Sequence, residues 1–138
     1  MDGGADEGVL FLSRRDVRAM LTVRDAAEAV EEDLKRQAIP GASALGDPAT
    51  YAQADRDLSF MWRLKSAIIR EPAVAGVRVA GFKLDEHGTG SGSEEDSTRL
   101  IVLADPVTGS PLAIIDEHHS FGLRTVAAAA VAVKHLAR

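Results

Sequence analysis

The stretch from Leu100 to Ile115 constrains this chain more than any other part of it. Two apolar runs, Leu100-Ile101-Val102-Leu103 and Pro111-Leu112-Ala113-Ile114-Ile115, flank Asp105-Pro106-Val107-Thr108-Gly109. Short aliphatic runs bounded by turn residues are strand material. Asp, Pro and Gly stand where turn chemistry wants them. The segment predicts two antiparallel strands joined by a tight turn. A second half-buried strand is expected over Val74 to Leu84, where Val77 and Val79 alternate with Arg78 and Ala80. Leu58 to Ile69 also reads as a strand, with a helix as the alternative. Val9 to Leu12 is a short apolar run that reads as a first strand.

Helices bracket these strands. Ser13 with Asp16, and Thr22 with Asp25, have the spacing of capping boxes and predict two successive helix starts. Val23, Ala26, Val30 and Leu34 give the second helix an apolar stripe. Ile39-Pro40-Gly41 ends it, and residues 40 to 56 read as a connection. The last segment, Phe121 to Arg138, predicts a helix with Leu123, Val126, Ala127, Ala130, Val133 and Leu136 on its apolar side. Its alanines would let another backbone approach closely, and Lys134, His135 and Arg138 suit the negative end of its dipole. The implied class is α+β, a mixed or antiparallel sheet with N-terminal helices and a C-terminal helix.

Composition narrows the function. The 138 residues suit one domain, taken as 9–138 behind a disordered leader of 1–8. Apolar residues are 46% and charged residues 27%, a globular balance that predicts a sizeable core. With no cysteine, disulfides, thiolate metal sites and cysteine nucleophiles are excluded. A net charge of -5 argues against a nucleic-acid partner. No apolar run reaches the roughly 18 residues that span a bilayer, and the acidic start is unlike a signal peptide. The expectation is a cytoplasmic domain. Gly88, Gly90 and Gly92 come closest to a phosphate-binding turn, but no apolar helix follows them, and the run reads as a loop. Nucleotide chemistry would therefore need another chain.

Residues 99 to 137, RLIVLADPVTGSPLAIIDEHHSFGLRTVAAAAVAVKHLA, resemble the ornithine cyclodeaminase/mu-crystallin family's strand, Asp-x-x-Thr-Gly turn, strand and Arg-Thr-Ala-Ala helix. LFLSRRDVRAMLTVRDAAEAVEEDL is similar to that family's first strand and helix pair, and AVAGVRVAGF to its central strand. The resemblance implies the substrate-binding and dimerisation half of such a protein. The Rossmann half that carries NAD or NADP would be supplied by a partner subunit.

The resemblance also implies site residues. Arg124 matches the family arginine that holds the substrate carboxylate; a planar guanidinium near helix-start N–H groups suits that task. The plain alternative is a surface arginine. Arg78 stands where the family usually has a lysine for the same carboxylate, and its alternative is an outward-facing strand arginine. Lys83 is a second candidate if the register is shifted. A further family arginine falls near Arg63 and Lys65, which share a strand face, and the choice between them stays open. Trp62 would point the other way. Asp116, Glu117, His118 and His119 raise a metal site, but adjacent histidines share an ion poorly, and the preferred reading is a solvated turn. Asp85, Glu86 and His87 read the same way. Ser120 reads as an N-cap, not a nucleophile. No catalytic residue and no metal is assigned.

Two functions follow. The first is the substrate-binding subunit of a two-chain NAD(P)-dependent enzyme acting on an amino or imino acid, inactive alone and forming a homodimer or heterotetramer. The second is a non-catalytic dimeric module that binds a small carboxylate or a protein. A third reading is a piece cut from a longer enzyme.

Overall fold

The computed structural model describes residues 8–90 and 97–137. Apart from Gly8, the expected leader lies outside them, as does the glycine-rich run beyond Gly90. The chain runs β1 (Leu10–Leu12), α1 (Arg14–Met20), α2 (Val23–Gln37), β2 (Ser43–Leu45), β3 (Tyr51–Asp55), β4 (Phe60–Ile69), β5 (Val74–Lys83), β6 (Ser97–Ala104), β7 (Pro111–Asp116) and α3 (His118–Leu136). The strands form one mixed sheet in the order β1-β7-β6-β5-β4-β2, with β3 also on β4. Only β1 is parallel to its neighbour among these pairings. The α+β class and mixed sheet match the sequence reading.

The hairpin forms as expected. The Asp105 carboxylate accepts from the Val107 and Thr108 N–H groups at 2.7 and 2.9 Å. Gly109 closes the turn at φ 75°, a conformation a Cβ disfavours. Both helix starts also hold. Ser13 N–H donates to Asp16 and Asp16 N–H to Ser13; Thr22 and Asp25 do the same. Each reciprocal pair satisfies two N–H groups that the helix itself leaves unbonded.

The supposed connection over 40–56 is in part strand. β2 pairs with Ile69–Ala67 and β3 with Leu64–Phe60, so two short strands lie end to end along one edge of β4. Nothing local predicts this. All five β3 residues are exposed, and the apolar alternation in Tyr51-Ala52-Gln53-Ala54-Asp55 rests on two alanines alone. The ten-residue edge of β4 supplies the unpaired backbone groups that recruit them.

The faces of β5 also differ from the expected pattern. Register and alternation put Gly76, Arg78, Ala80 and Phe82 on the helix side, with Val77 and Val79 on the other. Ala80 is fully buried, whereas Val77 is 37% exposed. The helix stripes shift too. On α2 only Ala26 is buried, with Val30 partly covered and Val23 and Leu34 exposed. On α3 Ala127 and Val131 are buried, whereas Val126, Val133 and Leu136 are exposed. The two helices pack on each other. The expected large core is not what the described residues build: the buried apolar set is mostly Ala and Val, with Met61 and Phe82 the larger members.

Glu31 ties α2 to α3. It accepts from Lys134 Nζ at 2.7 Å and meets His135 Nε2 at 3.0 Å. The Lys134 and His135 contacts hold its carboxyl down at about 2, against an ordinary 4.5. Asp16 and Asp25 are lowered by hydrogen bonds from Ser13 and Thr22, and Asp105 by the Thr108 and Val107 N–H groups.

Two outcomes are expected. Gly109→Ala has room for its Cβ but keeps a left-handed backbone, so it should cost about 1 kcal/mol in chemical denaturation; an unchanged midpoint would contradict the turn. The second concerns acid. A depressed folded pKa gives stability that is present above the unfolded value and lost as pH falls toward the folded one. Thermal stability should therefore drop between pH 4.5 and about 2, and Glu31→Gln should flatten that drop while lowering the melting temperature at pH 7. Parallel pH curves for the two proteins would rule out this clamp.

Candidate functional site

Antiparallel pairing of β4 with β5 sets Lys65 beside Arg78, Arg63 beside Ala80 and Met61 beside Phe82. Arg99 of β6 pairs with Ala80. All these side chains share the helix-side face, since alternation in paired strands is locked together. The first turns of α3 bring Phe121 and Arg124 over the same region. The result is a hollow of about 360 Å³ lined by Arg63, Lys65, Arg78, Phe82, Gly90, Arg99, Phe121 and Arg124.

Aromatic rings hold the guanidinium groups in this small volume. The Phe121 ring centroid lies 4.0 Å from the Arg99 guanidinium carbon and 5.3 Å from those of Arg78 and Arg124. Phe82 carries Arg99 at 5.1 Å and Arg63 at 5.3 Å. Each ring face offers negative potential to groups that would otherwise repel one another.

Glu117 is the hollow's carboxylate anchor. It is 3% exposed. Arg78 Nε donates to its Oε1 at 2.6 Å and also contacts its Oε2. The Glu117 N–H donates to the Arg99 carbonyl at 2.9 Å, which fixes the residue from its backbone. Among the described residues no carboxylate lies within ion-pair distance of Arg63, Lys65 or Arg124. An overall acidic chain thus concentrates cations at one place.

The turn at Asp116 to His119 is not the solvated one the sequence suggested. His118 is nearly buried; its ring joins the Asp116 carboxylate at 2.9 Å and the Ser97 carbonyl at 3.0 Å. Burial pushes the Asp116 carboxyl up, but the His118 backbone and ring bonds outweigh it and hold it low. Because Glu117 is the cap, α3 starts at His118, and Ser120 lies inside the helix, donating to the Glu117 carbonyl at 3.2 Å. Arg78 faces inward, not outward. Lys83 is exposed on the opposite face of β5 and does not line the hollow. Both Arg63 and Lys65 line it; Trp62 takes the other face, pairing with Gly81. Sequence reasoning missed Arg99, Glu117, Phe82 and Phe121. The parity of β6 would have found Arg99, had its pairing with β5 been known.

Lys65, Arg78 and Arg124 also border a second hollow of about 510 Å³, whose other walls include Gln37, Leu45, Ala67, Gly76 and Ile101. These three cations therefore stand on the divide between a cationic space and a more apolar one. Such an arrangement can clamp one carboxylate and let the rest of a small molecule extend to either side. No group of three or more acidic or histidine side chains converges as metal ligands among the described residues, and no described helix is long and apolar enough to cross a membrane. The β7–α3 junction reads Asp116-Glu117-His118, the wrong charge for a pyrophosphate at that helix start.

The chain belongs to the ornithine cyclodeaminase/mu-crystallin family, whose model matches residues 8–138. It is 31% identical over 132 residues to the alanine dehydrogenase of Archaeoglobus fulgidus, covering 94% of this chain and 37% of that protein. A solved archaeal alanine dehydrogenase dimer with bound NAD superposes with a TM-score of 0.75 at 26% identity, over 94% of this chain and 38% of that one. The Thermococcus litoralis Δ1-pyrroline-2-carboxylate reductase, solved with NADH and L-proline, gives 0.76 at 25% identity, over the same shares of 94% and 38%. The chain thus spans less than two fifths of these relatives' length.

A double-mutant cycle tests the anchor. Glu117→Ala should strand a half-buried guanidinium and cost on the order of 3 kcal/mol. Arg78→Met and Glu117→Ala together should cost clearly less than the sum of the two single changes. Additive effects would show that the two side chains do not act as a pair.

Proposed function

We propose that this chain is the substrate-binding subunit of an NAD(P)-dependent enzyme acting on an amino or imino acid. In this reading Arg124, Arg78 and Lys65 clamp the substrate's α-carboxylate. The observation that carries it is the convergence of these three cations on one hollow, where among the described residues the one carboxylate paired with any of them is that of Glu117, on Arg78. A held carboxylate fixes the α-carbon in one orientation, and orientation is a large part of what a binding subunit contributes to a rate. The names of the relatives support the substrate class: alanine, pyrroline-2-carboxylate and proline each carry a carboxylate beside the reacting carbon. NAD or NADP supplies the hydride acceptor or donor, and in our reading it arrives on a separate Rossmann-type partner subunit. The setting is the cytoplasm.

The second part of the proposal is self-association. The sheet face away from the helices carries Trp62, Leu64, Val77, Val79, Leu100 and Val102 side by side. Trp62 is 38% and Val77 37% exposed, large apolar area for a monomer to leave in water. A second copy closing against this face would bury it, giving a homodimer or, with the partner, a heterotetramer.

Calorimetry of the intact chain with amino and imino acids tests the clamp. Carboxylate binding should occur without nicotinamide, and Arg124→Ala should weaken it roughly ten- to a hundredfold. NAD(P)H turnover should appear only on mixing with a Rossmann-type partner. Carboxylate binding with no turnover from any such partner would favour the non-catalytic binding module instead. Light scattering should give a dimer that Trp62→Glu converts to monomers; a monomeric parent protein would refute the self-association.

A further inference from the structure

Arg63 is a cation that a single carboxylate does not use. It stands two residues from Lys65 on β4, hence about 7 Å along the strand, on the same face. Its guanidinium lies over Phe82, 5.3 Å from the ring centroid; it lines the cationic hollow together with Lys65, Arg78 and Arg124 but, unlike those three, does not border the second one. No carboxylate of the described residues pairs with it. One substrate carboxylate has two oxygens, and Lys65, the Nη edge of Arg78 and Arg124 already offer more donors than those oxygens can accept. A substrate with no other charge would leave Arg63 facing the other cations of the hollow, Lys65, Arg78, Arg99 and Arg124, in a small volume.

Resting on the carboxylate clamp proposed above, we infer that the site takes a dicarboxylic amino or imino acid, with Arg63 as the specificity-determining residue for the second acid group. The first carboxylate sits at Lys65, Arg78 and Arg124. The short carbon skeleton runs along the sheet toward Phe82, and the side-chain carboxylate meets Arg63. The span along β4 fits a skeleton of the aspartate or glutamate kind. The competing direction, into the hollow with Leu45, Ala67 and Ile101, offers no cation beyond the three already engaged. A second acid group turned that way would meet only the neutral side chains of Gln37 and Ser66 among apolar walls, with no charge to offset its own. Charge balance and wall chemistry therefore select the same direction.

The test compares acids with their neutral isosteres on the intact chain. Aspartate and glutamate should bind roughly ten- to a hundredfold tighter than asparagine and glutamine in calorimetry, the range expected for one charge-assisted contact. Arg63→Gln should weaken the diacids to the level of the amides and leave the amides unchanged. Arg63→Lys should keep part of the preference. Amides that bind as tightly as acids, or an Arg63→Gln change that weakens both alike, would overturn the inference, while a continued loss on Arg124→Ala would leave the clamp standing. If Arg124→Ala changes no binding at all, the clamp falls and this inference with it.

Discussion

The structure depends on the contact between Arg78 and Glu117. It joins the middle of the sheet to the junction at which β7 becomes α3. An ion pair this buried adds little net stability over an apolar pair of similar size, but removing one partner is costly. Its weight here is geometric. Glu117 is held at its backbone by the Arg99 carbonyl and at its side chain by Arg78, so the first turn of α3 has one position over the sheet. Phe121 and Arg124, one and two turns on, hang over β4 and β5 as a consequence. Without this anchor the helix start would be held by the His118 contacts with Asp116 and the Ser97 carbonyl, and its far end by Glu31, but nothing would tie it to the middle of the sheet at β5.

Those small side chains shape the rest of the molecule. Ala26, Ala80, Ala113 and Ala127 let strands and helices approach closely, which leaves little apolar volume between layers. The larger apolar residues are displaced outward, to the free sheet face and to α3. On the helix side, the sheet near β4 and β5 is left open, and cations line that opening. The fold thus separates an apolar face from a charged one by strand alternation alone.

Much of this was legible in sequence. The hairpin was readable because Asp105, Gly109 and the flanking aliphatics each favour it locally. Ser13–Asp16 and Thr22–Asp25 were readable because capping is decided within four residues. The shared face of Arg63 and Lys65 followed from period-two alternation. The rest depended on long-range pairing. β2 and β3 exist because β4 offers an edge, so no pattern inside 40–56 could announce them. Whether Arg78 faces inward or outward stayed open in the sequence because Glu117, thirty-nine residues away, is what makes burying it tolerable. The same partner hid Glu117 itself, which looks like one more acid in a polar turn. Helix stripes were misread because burial on α2 and α3 falls on alanines that hydropathy weighs lightly.

The central claim is that Lys65, Arg78 and Arg124 jointly receive a carboxylate. The most direct measurement is side-chain nuclear magnetic resonance of the arginine Nε–H groups and lysine ammonium groups during titration with an amino acid. Signals of Arg78, Arg124 and Lys65 should shift together along one saturable curve, with Arg14, Arg24 and Arg56 unmoved. A titration in which those three stay still, or in which distant arginines move equally, would contradict it.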